Sequence, residues 1–347
     1  MRSPYTSLPK KSFWRTSVPN NASEVEDLYV KRFSISGKKI ATAGSCFAQE
    51  IAKGLRKNNY TVVDKEPSPG TSQIRGEIEN RFGYGLYSAR HGNIYTARQL
   101  LQLTKEALGR SVVLPDEFIW EKDGRYFDAL RPSVEPNGLP SRDEVILQRQ
   151  EHLKRFRQVL EEADVFVFTF GLTEAWVNTK TGLVYPTAPG TIAGSYSEED
   201  CEFVNFRFQD IYNDFIEFRN ILKEINENIK FIITVSPVPL TATASKDHVL
   251  VATVRSKSTL RAVTAQIYDD CSDVDYFPSY EFFSTPFLGG SLFQENKRNV
   301  SRAGVESVMK IFFSQHNDNT GEVEEVVETG TVVCEEALLD AFAGGVK

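Results

Sequence analysis

The 347-residue chain is sparing with cysteine, histidine and methionine, of which it has four, four and two, and it contains no long apolar run. A bilayer-crossing helix needs roughly 18–20 apolar residues in succession, and residues 1–20 lack the apolar centre of a secretory signal. The chain therefore reads as cytoplasmic and without a transmembrane segment. The cysteines Cys46, Cys201, Cys271 and Cys334 are scattered, with no paired spacing for zinc and too few bridges to staple a chain of this length. Reduced thiols and no metal are expected. No glycine-rich phosphate loop or dinucleotide fingerprint occurs, so no cofactor is expected either. An excess of positive charge is also missing. Forty Lys and Arg face 47 Asp and Glu, and eight of the acids lie beyond residue 316 against Lys347 alone. The body is thus electrically balanced, which excludes the basic footprint of a nucleic-acid binder. The acidic segment 317–347 reads as a flexible tail with one short helix at Glu335–Phe342, open to a protein partner.

What the chain does have is alternation between short apolar runs and longer amphipathic ones. That pattern predicts a mainly parallel sheet covered by helices on both faces, a three-layer α/β/α sandwich. Val165 to Phe170 is a continuous apolar run, as expected of a strand buried on both sides. Phe231 to Val235 and Val274 to Phe277 follow as strands. Ser141, with Glu144 three residues on, predicts a capped helix carrying Ile146, Leu153, Phe156 and Leu160. Phe208, Ile211, Phe215, Phe218, Leu222 and Ile225 mark another helix, and Ser301 caps the last one. Lys122-Asp123-Gly124 sits at the centre of a predicted hairpin over 118–130, because Asp-Gly suits a tight turn with positive φ. The expected organisation is an N-terminal arm over 1–37, an α/β domain over 38–316 with an insert at about 58–140, and the tail. The long connections follow the strands, at the carboxyl edge where open α/β sheets bind ligands.

One turn stands out at that edge. Ile40 to Ala43 is a short apolar strand that breaks at Gly44-Ser45, and Phe47, Ile51 and Leu55 then recur at helical spacing. Ser45 is therefore placed on a strand-to-helix turn, beside the unpaired N–H groups of a first helical turn. A serine there serves either as a helix cap or as a nucleophile. Cys46 beside it sits where a helix N-terminus lowers a thiol pKa.

The pentapeptide Gly44-Ser45-Cys46-Phe47-Ala48 resembles the name-giving motif of the GSCFA family, a branch of the SGNH/GDSL esterase and acyltransferase superfamily. Residues 9–15, 95–100, Gly171-Leu172-Thr173-Glu174-Ala175-Trp176, 236–240, Ser256-Lys257-Ser258 and 277–281 resemble further family segments in the same order. The resemblance implies an SGNH-type fold with long inserts at the carboxyl edge. It also implies acyl transfer through Ser45 on a small-molecule or saccharide ester. Its second block offers Gly83, Gly85 or Gly92 as a close-approaching backbone N–H. Its third block, normally Gly-x-Asn-Asp, appears as Gly171-Leu172-Thr173-Glu174, with Thr173 in the asparagine position. A hydroxyl offers one donor where an amide offers two.

The sharpest departure comes at the end. Where the superfamily has Asp-x-x-His, this chain reads Asn296-Lys297-Arg298-Asn299, and neither asparagine accepts a proton at neutral pH. His152 and His316 lie at structural positions. His248, on the loop leaving the Phe231–Val235 strand, is the candidate base, with Asp247 or Glu174 to orient it and His91 as runner-up. Cys46, Gly85, Gly171, Thr173 and Arg90 are the candidates for oxyanion and substrate contacts, with Arg98 and Arg131 as further anion-gripping side chains. The alternative is a carbohydrate-binding or scaffold protein that kept the pocket and lost its base.

Overall fold

The computed structural model describes residues 3–19, 24–70, 80–286, 288, 292–316 and 335–343. At its centre are five parallel strands: β1 (Lys39–Gly44), β2 (Thr61–Val62), β5 (Val165–Phe170), β9 (Lys230–Val235) and β10 (Val274–Tyr276), in the order β10-β9-β5-β1-β2. Ile40 lies opposite Val165, and Phe166 opposite Phe231, so β5 is paired on both sides and wholly buried. Its side chains alternate between the two faces, as the pleat requires. Val165 and Val167 point into one core with Ile40 and Ile232; Phe166, Phe168 and Phe170 point into the other with Phe231 and Ile233.

The first of these faces is covered by α1 (Phe47–Lys57), α6 (Ser279–Ser284) and α7 (Arg302–His316), through Phe47, Ile51, Leu55, Phe282, Val308 and Phe312. The second is covered by α2 (Ala97–Ala107), α3 (Arg142–Glu162), α4 (Phe208–Ile225) and α5 (Val249–Asp270), through Leu100, Phe156, Phe215, Phe218 and Leu260. Burying each of these aliphatic or aromatic side chains contributes on the order of 1.5–3 kcal/mol. The molecule is a three-layer α/β/α sandwich.

Local signals decide several boundaries. The Ser141 hydroxyl accepts the Glu144 N–H at 3.2 Å and starts α3. Ser301 accepts the Gly304 N–H at 3.0 Å at the start of α7. Asp123 and Gly124 both have positive φ in the hairpin of β3 (Ile119–Lys122) and β4 (Arg125–Asp128), the conformation that a two-residue hairpin turn requires. The segment 58–140 is more than an insert, because it contains β2, the edge strand of the main sheet. The segment after β5 forms a small antiparallel sheet of its own, β7 (Val184–Tyr185), β6 (Glu174–Asn178) and β8 (Cys201–Asn205) in that order. Glu335–Phe342 is a short 3-10 helix; the expected flexibility of 317–334 lies outside the described residues.

Candidate active site

The site begins where β1 meets β5. Gly44 has φ 139°, and a Cβ there would stand 2.6 Å from the Thr169 carbonyl oxygen, so only glycine fits. Ser45 follows, its N–H donating to the same Thr169 carbonyl at 3.1 Å. Its own carbonyl accepts the Ala48 N–H at 2.8 Å, which makes it part of the opening turn of α1. The side chain plays no part in that cap. The Ser45 hydroxyl is buried and has no hydrogen-bond partner among the described residues. Leaving a buried polar group unpaired costs about 1–3 kcal/mol, and such orphans call for an explanation other than stability.

Ser45 opens into a narrow pocket at the carboxyl edge of the sheet, with a cavity volume of about 10 Å³. Gly171 and Leu172, from the end of β5, and Ser236, from the end of β9, form its walls with Tyr95 and Cys46. Two charged side chains complete the lining, Lys257 of α5 and Glu336 of the C-terminal helix. Lys257 is 2% exposed, and its amine donates to the Gly171 carbonyl at 2.5 Å. One residue earlier, the Ser256 hydroxyl accepts the Thr173 N–H at 3.0 Å. Helix α5 thus holds the loop after β5 against Ser45 from two consecutive positions. Below the pocket, Tyr87 lies within hydrogen-bond distance of the Ser45 carbonyl at 3.3 Å and of Asn93 at 2.5 Å.

The predicted histidine base is not brought there. His248 is exposed, and its Nδ1 accepts the Leu250 N–H at 3.2 Å, capping α5. Its ring is used by the helix end, and it does not line the Ser45 pocket. Glu174 points to the same loop but not to the ring, accepting the Thr243 hydroxyl at 2.8 Å, and burial raises its pKa. His91 is fully buried between Tyr87 and Phe156, with Nδ1 2.7 Å from the Gly92 carbonyl. Burial pushes its pKa down to about 4. It faces a second cavity, shared with His152, Arg131 and Arg149. His152 pairs with Glu66 and His316 lies near the Tyr29 hydroxyl, both inside the protein. Among the described residues, no histidine lines the Ser45 pocket.

The expected substrate contacts divide as well. Cys46 and Gly171 are in the pocket. The Thr173 hydroxyl donates to Asn205 at 2.7 Å, which commits its proton away from any oxyanion. Gly85 is exposed, its carbonyl accepting from Arg56 at 2.7 Å. Arg90 is buried among the carbonyls of Phe82 and Val134 and the Glu135 carboxylate. Arg98 pairs with Asp214, and Arg131 with Asp128. In the loop expected to carry Asp-x-x-His, Asn296 accepts the N–H groups of Arg298 and Asn299 and closes a turn. The Arg298 side chain of that loop reaches Glu336 at 3.2 Å.

A model of the GSCFA family matches residues 39–312. The chain belongs to this family. No curated protein sequence matches it. Solved structures are similar to the GSCFA chain at low levels, two of them esterases. One is a carbohydrate esterase family 3 protein from Talaromyces cellulolyticus, with TM-score 0.35, 9% identity and coverage of 80% of this chain and 95% of that one. The other is an acetyl esterase mutant with acetate ion, with TM-score 0.33, 10% identity and the same two coverages. Tyr95, Lys257, Arg298 and Glu336 were not among the expected site residues of this GSCFA protein. Lys257 had a signal in the sequence, since Ser256-Lys257-Ser258 is one of the segments that resemble the family.

Proposed function

We propose that the chain is a serine-dependent esterase or O-acyltransferase in which Ser45 is the nucleophile and Lys257 replaces the absent histidine as general base. The observation that carries this reading is the buried Ser45 hydroxyl, unpaired among the described residues, in one pocket with the Lys257 amine. Lysines become general bases where burial favours the neutral amine. A neutral amine retains two N–H bonds and gains a lone pair. One N–H of Lys257 remains on the Gly171 carbonyl, while the lone pair accepts the Ser45 proton as the oxygen attacks the ester carbonyl. The oxyanion lies at the opening turn of α1, where the positive end of the helix dipole favours negative charge although the Ala48 and Gln49 N–H groups already bond the Ser45 and Cys46 carbonyls. As the tetrahedral intermediate collapses, the ester C–O bond breaks and the Lys257 ammonium protonates the departing alkoxide. Water or a second hydroxyl then resolves the acyl-Ser45, giving hydrolysis or transfer. An acylated carbohydrate is the substrate that the SGNH resemblance supports.

The test is labelling by a fluorophosphonate. The wild-type chain should label, Ser45→Ala should not, and Lys257→Met should label at least ~10²-fold more slowly, the low end for general-base catalysis. Labelling that persists in Ser45→Ala overturns the assignment. A second reading, a binding protein that holds its ligand without turnover, is favoured by the absence of histidine from the pocket lining and by Asn296 and Asn299 in the Asp-x-x-His positions. Failure of the folded wild-type chain to label selects it.

A further inference from the structure

The Ser45 pocket is shut as it stands. Its cavity of about 10 Å³ has room for about one water, and Ser45 and Cys46 in its wall are 2% and 5% exposed. An ester must reach the Ser45 oxygen to react, so part of the lining has to move aside. Most of the lining is fixed. Ser45, Gly171 and Ser236 stand at the ends of β1, β5 and β9, and Tyr95 and Leu240 are buried in the apolar cluster beside them.

Glu336 is different, because it reaches the pocket from the C-terminal helix Glu335–Phe342, whose surface is largely open to water. Ala337, Leu338, Asp340, Ala341 and Phe342 are all exposed, and only Glu336 and Leu339 in the span 336–342 are partly covered. Segments with little buried apolar area are the first parts of a fold to open. The Glu336 side chain itself is 14% exposed, and its Oε2 accepts from the Arg298 guanidinium at 3.2 Å. Arg298 is presented by a closed turn, in which Asn296 accepts the backbone N–H groups of Arg298 and Asn299 and the Asn299 carbonyl accepts the Gln294 N–H at 2.7 Å. Of the two partners, it is the helix that can leave.

We propose that the C-terminal helix is an autoinhibitory strap: with Glu336 seated the Ser45 pocket is shut, and lifting the helix away from Arg298 opens it. The proposal rests on the reading of Ser45 as the reactive centre, but the opening itself can be read without Ser45. Only molecules with the strap lifted admit a reagent, so the apparent reactivity of any group in the pocket scales with the open fraction. Cys46 supplies the independent readout, since it lies in the same wall as Ser45, while Cys201 and Cys271 are buried in other clusters.

The test treats the native full-length chain with iodoacetamide and follows the alkylation of each cysteine by mass spectrometry of its peptide, beside fluorophosphonate labelling of Ser45. Arg298→Gln removes the clamp but keeps the Glu336 side chain and the turn, which uses only the backbone N–H of residue 298. It should raise the Cys46 rate at least ~10-fold, because breaking a part-buried ion pair shifts the open fraction by that factor or more, and the Ser45 labelling rate should rise with it. Glu336→Gln should act likewise, and Arg298→Lys should fall between Arg298→Gln and wild type. The double variant Arg298→Gln/Glu336→Gln should fall short of the product of the two single effects, since both break one contact. Cys201 and Cys271 should keep their wild-type rates, which separates opening of the pocket from loosening of the fold. A Cys46 rate that responds while Ser45 never labels upholds the strap and removes the nucleophile. A wild-type Cys46 that reacts as fast as in the urea-unfolded chain, no acceleration at Cys46 in either single variant, or equal acceleration at Cys201 and Cys271 each overturns the proposal.

Discussion

A Cβ placed on Gly171 would stand 3.0 Å from the Cβ of Ser45 and 3.1 Å from the Tyr95 carbonyl oxygen. The glycine is thus required by the approach of three chain segments rather than by a turn. Gly171→Ala must push Ser45 or Tyr95 aside by a few tenths of an ångström, an overpacking that costs about 1–3 kcal/mol. Reaction at Ser45 is still more sensitive, since displacements near 1 Å cost on the order of 10² in rate. We expect Gly171→Ala to remain folded and to react with a fluorophosphonate roughly 10-fold more slowly. An unchanged labelling rate would show that the probe reacts elsewhere.

Replacing the proposed nucleophile should not weaken the fold. The Ser45 hydroxyl is buried with no hydrogen-bond partner among the described residues, so Ser45→Ala removes an unpaired polar group and keeps the backbone bonds to Thr169 and Ala48. Urea denaturation should place the variant level with wild type or about 1 kcal/mol above it. A loss of more than about 1 kcal/mol would mean that the hydroxyl holds a stabilising bond in solution.

The parts of this architecture that were legible in the sequence are those fixed by neighbours along the chain. Val165–Phe170 announces a central strand because both of its faces are buried, and Asp123-Gly124 announces a hairpin because its two positive φ values suit few other pairs. The sheet of β6, β7 and β8 is different. Its register pairs Glu174 with Asn205, and its edge strand β7 is two residues long, too short for any periodicity. Lys257 lies in a 22-residue helix, where a lysine ordinarily faces water; only the docking of α5 on the loop after β5 buries it. Glu336 sits in an acidic tail and finds its partner 38 residues back, at Arg298. His248 misled for the converse reason. Its loop leaves the correct edge of the sheet, but the adjacent helix start claims the imidazole.

That local use of His248 carries its own prediction. Its ring supplies one acceptor to the Leu250 N–H at the exposed start of α5. His248→Ala should therefore lower stability by at most about 1 kcal/mol, the usual loss for a helix cap. The labelling rate of Ser45 should be unchanged. A fall of ~10²-fold in a variant that melts like wild type would bring His248 back as the base.

The buried His91 should be visible in the acid limb of stability. Burial lowers its pKa from 6.5 to about 4 in the folded protein, so as pH falls the unfolded chain takes up this proton first. Stability is then fully present above about pH 6.5 and declines towards pH 4, because the unfolded state binds more protons throughout that window. Between pH 7 and pH 5 the loss attributable to His91 is about 2 kcal/mol. His91→Phe, packed between Tyr87 and Phe156, cannot titrate. It starts lower at pH 7 because it forfeits the contact with the Gly92 carbonyl. The stability gap between wild type and His91→Phe, from urea midpoints at the two pH values, should therefore narrow by about 2 kcal/mol at pH 5. The neighbouring His152, whose pKa burial also lowers, is present in both proteins and largely cancels in the difference. A gap that stays constant with pH would show that His91 is not held neutral in the fold.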